Sequence, residues 1–570
     1  MKRGLFSALT AALLALSACA GAPTEAPATE APETGSAETE AAREPLETVE
    51  ARPVLEVPSA DKLLYKNDLD LNGCADPSVL AVAEGKRTCF YLYCTGIKGY
   101  YSYDLSSWIE IPNVFPKPGG TWAKENYWAP EILRDEEAGV YRLFYSARGK
   151  DGFYYISMAT ADSPKGPFVP WTGTNADGLA ITPETPIYDF SRMDPAHPLY
   201  EGVIRAIDVF PFVDPATGEK YLYWVHAWGE GGTVRHETSE VWGMRMKDWE
   251  TPDYATVTRL TEVAKATVGG AKTRHGETSI NEGPAVQYRD GTYYLTFSIN
   301  PASYKGYSVW QALGEGPLGP FTKLEKNEGG MVLGVDSDWA HASGTGHHCF
   351  FRVGDELWIA YHAHTRREYT TMGDRAFAFD RVVWIKNDAG QTVLHANGPT
   401  WSPQPLPETV SGYRNAAPEA ALTVTGLAGG EAAALTDGAI RMHSYEPIRD
   451  ASFTDGAEIT LTWETPIRAR AILLYNSPLL SAAFAGARVE MTVLDRDGAW
   501  VTREIRAGDF PQEAYVGENA FGVAGIRPGA ALVWKLIDVT TVREMRVFLS
   551  VPEGQSAAEV TELVVLGKDS

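Results

Sequence analysis

Five short stretches of the chain bring an acid or a histidine to the start of an apolar strand. They are CADPSV (74–79), WAPE (128–131), AIDVF (206–210), NEGPAV (281–286) and GTGHHCF (344–350). Asp76, Glu131, Asp208, Glu282 and the pair His347–His348 therefore share one local setting. Placing charge against apolar strands costs free energy that packing alone does not return, so a repeated placement points to chemistry. Several carboxylates facing one pocket, with aromatics nearby and no nucleophilic Ser or Cys motif, are the inventory of a glycosidase. In an inverting reaction one carboxylate takes a proton from water while a protonated carboxyl gives one to the leaving oxygen. The two groups then stand roughly 6.5–9.5 Å apart, leaving room for the water. A third acid close to the donor keeps it protonated by like-charge repulsion and fixes its orientation.

Taken singly, these residues have plainer readings. Asp76 precedes Pro77 and by itself reads as a turn carboxylate capping backbone N–H groups. Asp208 lies inside the apolar run RAIDVFPFV, where an unpaired carboxylate is expensive. Glu282 is intermediate between the two. Agreement among the three in strand position is what favours a chemical set.

The elements that must hold them are hairpins. CADPSVLAVAEGKRTCFYLYCT, WAPEILRDEEAGVYRLFYSA, AIDVFPFVDPATGEKYLYWV, NEGPAVQYRDGTYYLTFSI and GHHCFFRVGDELWIAYHA repeat one plan between about residues 60 and 400. Each opens on a polar or Pro-containing start, runs through an apolar strand, turns at Gly, and returns through alternating aromatic residues. YYISMATADSPKGPFVPW and YSVWQALGEGPLGPFTKL read as third and fourth strands. Hairpins repeated five times without amphipathic helices predict a five-bladed β-propeller, whose inner strands line a central channel. Two β-sandwiches are the structural alternative, but they give no reason for five similar hairpins.

In order and spacing, ADPSV, WAPE, AIDVFPFVD, NEGPAV and GTGHHCF resemble the motifs of glycoside hydrolase family 43 over about residues 70–400. Members are five-bladed propellers that act with inversion on arabinose- and xylose-containing plant polysaccharides. The resemblance implies that Asp76 is the general base, Glu282 the general acid, and Asp208 the acid that tunes pKa and orientation. AIDVFPF departs from the family at the Asp-Pro that more usually follows the Ile. For His347 the resemblance implies a position near the channel axis where arabinan-cleaving members hold a metal, often calcium; a satisfied core histidine is the other reading. No cofactor is implied for the chemistry. Trp128 is a candidate sugar-facing wall and Glu131 a carboxyl buried against a neighbouring blade. Arg366 in HAHTRRE is a candidate sugar-binding residue or a surface ion-pair partner. Fructoside-cleaving propellers are a competing reading, yet their Asn-Asp-Pro-Asn-Gly start is not matched. A non-catalytic, lectin-like propeller is the alternative from another class; it would be expected to have lost Asp76 or Glu282.

The flanks complete the organisation. Lys2 and Arg3, an apolar run from Leu5 to Leu16 and LSAC at 16–19 read as a lipoprotein signal peptide (1–18) with Cys19 lipidated, or as a plain secretory signal. Either implies export, and the first a membrane partner and a place at the cell surface. Residues 19–57, rich in Ala, Pro, Thr and Glu, read as a disordered tether. The propeller is assigned to 58–405. Residues 406–570 contain ALTDG, EITLTWETPIRARAILLYN, ARVEMTVLDRDGAW and AAEVTELVVLG, short alternating strands that predict a β-sandwich. They resemble discoidin-like domains, many of which bind carbohydrate. The fold class expected is thus all-β, a five-bladed propeller followed by a β-sandwich. Cys74, Cys89, Cys94 and Cys349 permit disulfides, although Cys89 and Cys94 on one strand face opposite sides. A formal net charge of -24 without a Lys/Arg stripe argues against a nucleic-acid partner.

Overall fold

Alternation in the second strand of each hairpin sets the architecture. In the computed structural model these strands are buried on both faces and feed two different cores. Tyr91 and Tyr93 join one cluster with Leu143 and Tyr145 of the next hairpin, while Phe90 and Leu92 join another with Phe351 and Trp358. Leu222 and Trp224 pack against Phe144, whereas Tyr221 and Tyr223 pack against Leu295 and Phe297. Tyr294 completes the circle with Ile359 and Tyr361. Five sheets therefore share five interfaces, because the alternate residues of each second strand serve the two neighbouring interfaces. Such a closed ring is a five-bladed propeller. The structure describes residues 62–67, 71–117, 119–202, 205–227, 238–263, 280–335, 342–364, 372–400, 402–442, 450–505, 514–515, 525–526 and 529–570.

The inner strands are Ser78–Glu84, Ala123–Asp135, Arg205–Val213, Asn281–Arg289 and Ser343–Val353. Each pairs antiparallel with the strand that follows it, and the sheet continues outward in chain order. The N-terminal segment closes the ring. Asn72 bridges Ala376, the Gly73 N–H donates to the Arg375 carbonyl at 2.9 Å, and Leu64–Tyr65 pairs with Gln404–Pro405. Blade 5 is thereby tied to blade 1, and the Val79 N–H donates to Cys349 Sγ at 3.1 Å.

The C-terminal region is a β-sandwich built from one nine-stranded, strongly bent sheet. Its long strands, Glu458–Asn476 and Ala531–Ser550, change register near Ala469–Ala471, which lets one strand serve both layers. Trp463, Phe453 and Phe484 fill the core. Residues 58–570 form one compact unit. Its propeller and sandwich parts meet through His395 Nε2 and the Ile440 carbonyl at 2.9 Å and through a reciprocal Asn397 pair with Gly438 and Ile440. The four described cysteines are buried and unpaired. Cys89 and Cys94 lie in different interblade cores, as strand alternation requires.

Candidate active site

Every inner strand is kinked at the same level. Asp76, Ala129, Asp208, Gly283 and His347 all adopt left-handed backbone, with φ of 54°, 43°, 56°, 57° and 45°. Pairing with the second strand slips at this level in blades 2 to 5 and starts just beyond it in blade 1. Four of these residues carry a Cβ, for which left-handed backbone is disfavoured, and its recurrence in one ring marks a functional constraint. The kinks correct one sequence-based expectation. In blade 2 the equivalent of Asp76 and Asp208 is Ala129, not Glu131, which lies two residues deeper and accepts from Ser78 Oγ at 2.6 Å. Glu131 packs against blade 1 as expected, and burial raises its pKa to about 8.

The ring converges on Asp76. Its Oδ1 accepts from Arg375 Nη1 at 2.8 Å and lies 3.3 Å from His347 Nδ1 and 3.4 Å from His362 Nδ1. Its Oδ2 accepts from the Thr95 hydroxyl, which itself accepts from the Ala129 N–H at 3.1 Å. Burial alone would raise the Asp76 pKa, but Arg375, His347 and His362 together hold it well below the usual carboxylate range.

Asp208 and Glu282 have the opposite electrostatics. Asp208 is buried and accepts a long bond, 3.4 Å, from the Gly283 N–H. Burial, with the charges of Glu282 and Asp76, pushes its pKa well up. Glu282 is half-buried, and its pKa is raised to about 7, first by burial and also by Asp76, against a lowering by Tyr307, Arg375 and Arg205. With both groups raised, at least one of them keeps its proton near neutral pH.

His347 stands between Asp76 and Asp208, 3.9 Å from the latter. Its N–H donates to Ser298 Oγ at 2.8 Å, and burial lowers its pKa. Its ring rests on Gly283, where an added Cβ would lie 3.1 Å from the imidazole Cγ; together with positive φ, this explains the Gly of NEGPAV. His348 faces away; its Nε2 pairs with the Thr296 hydroxyl at 2.7 Å, while its buried Nδ1 has no partner among the described residues.

Trp128 lies in blade 2, one residue before the kink at Ala129. It stacks on Tyr154 with ring centroids 4.8 Å apart, and the Arg205 guanidinium lies 4.7 Å from the Tyr154 centroid. The charges of Asp208 and Glu282 reach that guanidinium, which places the Trp128–Tyr154 stack on the acids' side of blade 2. Arg366 lies outside the described residues. Sequence reasoning missed Arg375, His362, Tyr307 and Thr95, which come from second and third strands or the loops beyond them. The only local signal was the polar residues within otherwise apolar runs, as in YHAH and DRAFAF.

Known proteins place this geometry in a family. The chain is 27% identical over 279 residues to an arabinoxylan arabinofuranohydrolase of Paenibacillus polymyxa, a match covering 46% of this chain and 38% of that protein. It is 26% identical over 307 residues to the beta-D-galactofuranosidase xynD of Aspergillus niger, covering 52% and 73%. Among solved structures, a thermostable family-43 glycoside hydrolase is 26% identical with a TM-score of 0.45, covering 60% of this chain and 99% of that one. The sequence profile of glycosyl hydrolases family 43 matches residues 71–389, more than half of the chain, and includes all five kinked strands; the chain belongs to that family.

Proposed function

We propose that the chain is a glycoside hydrolase that cleaves glycosidic bonds of arabinose- or xylose-containing plant polysaccharides or oligosaccharides with inversion of configuration. One observation carries the reading: neighbouring carboxyls are driven in opposite directions. Asp76 is held ionised by Arg375 and two histidines, while Glu282 is raised to about 7. Separated pKa values assign the roles of base and acid. Asp76 takes a proton from water as the water oxygen bonds to the anomeric carbon. Glu282 gives its proton to the glycosidic oxygen as the carbon–oxygen bond breaks. Asp208, next to Glu282, is assigned to tune its pKa and orientation, since the two raised carboxyls resist carrying two negative charges at once. Trp128 offers an aromatic face to the C–H side of a sugar ring.

Two relatives support the sugar class by name, an arabinoxylan arabinofuranohydrolase and a xylosidase/arabinosidase of Humicola insolens. No step runs through a metal. A calcium ion prefers six to eight oxygen ligands, whereas His347 offers a nitrogen and the adjacent Asp76 is already bound by Arg375. Among the described residues no group of three His, Cys, Asp or Glu side chains is arranged to hold a metal. The residues present therefore do not fit a protein-built calcium cage.

The same reading extends to the flanks. The C-terminal sandwich is assigned as a discoidin-like module that keeps the enzyme on polymer, with the propeller at 58–405 and the module at 406–570. Residues 1–18 are assigned as a lipoprotein signal and Cys19 as the lipid anchor of an exported, surface-held protein, on sequence grounds alone. The test of the function is hydrolysis of arabinan, arabinoxylan and xylo-oligosaccharides by wild type and Glu282→Gln, with the anomer of the first product read by NMR. Wild-type turnover with an inverted anomer is expected; a retained anomer, or full activity in the variant, overturns the mechanism.

A further inference from the structure

Between the two carboxyls assigned to acid and base lies a pair of rings that the reaction as written does not use. Tyr307 and His362 are fully buried and stack with centroids 5.5 Å apart and planes inclined by 14°. On one side, His362 Nδ1 accepts the Asp76 N–H at 3.3 Å. Burial lowers the His362 pKa to about 3, so the ring is neutral near pH 7. On the other side, the Tyr307 hydroxyl faces the Glu282 carboxyl and the Ser298 hydroxyl but forms no well-aligned hydrogen bond to either. The ring is wedged in place. A Cβ on Gly346 would lie 2.4 Å from Tyr307 Cε1, so the glycine of GTGHH admits the tyrosine.

A buried hydroxyl without a good partner is unfavourable. It becomes favourable when its neighbour turns from a carboxylic acid into a carboxylate, a stronger acceptor. Glu282 undergoes that change as its proton moves to the leaving oxygen. We propose that Tyr307 is the positioning residue of the acid: its hydroxyl donates to the Glu282 carboxylate as that group ionises, while the stacked His362 ring braces both Tyr307 and Asp76. An interaction that strengthens only along the reaction coordinate raises kcat and leaves ground-state binding alone. The proposal rests on Glu282 being the acid. The other groups that bear on Glu282 are Asp76, Asp208, Arg375 and Arg205, and all remain when Tyr307 is changed.

The test compares natural glycosides, whose alkoxide leaving groups need a proton, with dinitrophenyl glycosides, which leave without one. Tyr307→Phe keeps the ring and the stack. It is expected to lower kcat on natural glycosides by about 10- to 100-fold, the worth of one hydrogen bond to a charged group, with KM unchanged. On the dinitrophenyl substrate kcat should stay within about threefold, since proton donation is not needed there. The basic limb of the pH–rate profile should move up, because Tyr307 lowers the Glu282 pKa. His362→Phe keeps a stacked ring but drops the Asp76 contact, and should slow both substrates alike. Equal losses on both substrates for Tyr307→Phe, or an unmoved basic limb, would overturn the proposal. If Glu282→Gln itself fails to discriminate between the two substrates, the assignment of the acid falls, and that outcome is distinct.

Discussion

Two buried carboxyls in the propeller are raised to about 7, and their surroundings could hardly differ more. Glu282 is half-buried, with other acids close by and a tyrosine hydroxyl in an imperfect position. Asp380 is sealed at 0% exposure and surrounded by donors: Tyr65 at 3.0 Å, Tyr361 at 2.7 Å, the Thr400 N–H at 3.2 Å and hydroxyl, and Asn67. Burial raises both, but at Asp380 every other contribution opposes it through hydrogen bonds. A shifted pKa alone therefore does not mark a catalytic group. What separates the two is a second carboxyl of opposite shift within reach and partial exposure to solvent. Asp380 has neither, and its donors join the N-terminal segment to the second and third strands of blade 5 and to the 400 region.

The difference predicts a sharp split under mutation. Glu282→Gln and Asp76→Asn should each reduce turnover on natural glycosides by roughly 10²- to 10⁴-fold, the usual worth of a positioned acid or base; Glu282→Gln should leave the melting temperature nearly unchanged, whereas Asp76→Asn also removes the buried partner of Arg375 and should melt lower. Steady-state kinetics and thermal melts of the same samples check this. Asp380→Ala should do the reverse. It leaves two tyrosine hydroxyls, a threonine and an asparagine facing a cavity, which costs about 2–4 kcal/mol, while the folded fraction turns over normally. A loss of kcat per folded molecule in Asp380→Ala would erase the distinction.

The hairpin repeat, the buried alternation of YLYC or YLYWV, and the level of Asp76, Asp208 and His347 were legible in the sequence, with Glu282 one residue before its blade's kink at Gly283, because side-chain period and turn chemistry are local. The kink was not. Nothing in WAPE says that Ala129 takes left-handed backbone and sends Glu131 one level deeper. Arg375 was equally hidden, since it lies 299 residues from the carboxylate it holds, and only closure of the ring brings blade 5 beside blade 1. Tyr307 and His362 sit in aromatic strands or beside them, where sequence reading rightly expects core.

Dependence on pH sharpens the comparison further, because the two types of shift have opposite signs. Asp380 binds its proton more tightly in the folded state, so the stability it contributes is fully present below the unfolded carboxylate pKa, about 4. That stability is lost as pH rises through about 7. Asp76 is depressed; its contribution is present above about 4 and is lost as pH falls below that. Asp380→Asn should thus flatten the decline in unfolding free energy between about pH 4 and 7, by at most about 1.4 kcal/mol per pH unit removed. Denaturant melts across that range measure it, and an unchanged slope would mean that Asp380 is ionised in the fold.

The smallest effect is the most discriminating. Glu131 is raised further than either group, to about 8, and it lies two residues past the blade 2 kink at Ala129, bonded to Ser78. By pKa alone it would be a better proton donor than Glu282. By the first of the criteria separating Glu282 from Asp380 it fails: the kink puts Ala129 at the level of the chemistry, and Cys349, Ser78 and Ala285 occupy the matching positions around it. Protonated at neutral pH, Glu131 already resembles a glutamine in charge and shape, and the amide oxygen of Glu131→Gln can still accept from Ser78. The variant should change stability by less than about 0.5 kcal/mol and kcat by less than about twofold at pH 6–7. A difference should open only above pH 8, where wild type acquires a buried charge that the variant cannot. A hundredfold loss in Glu131→Gln at neutral pH would show that proton delivery runs through the lower ring, and the level of the backbone kink would no longer define the site.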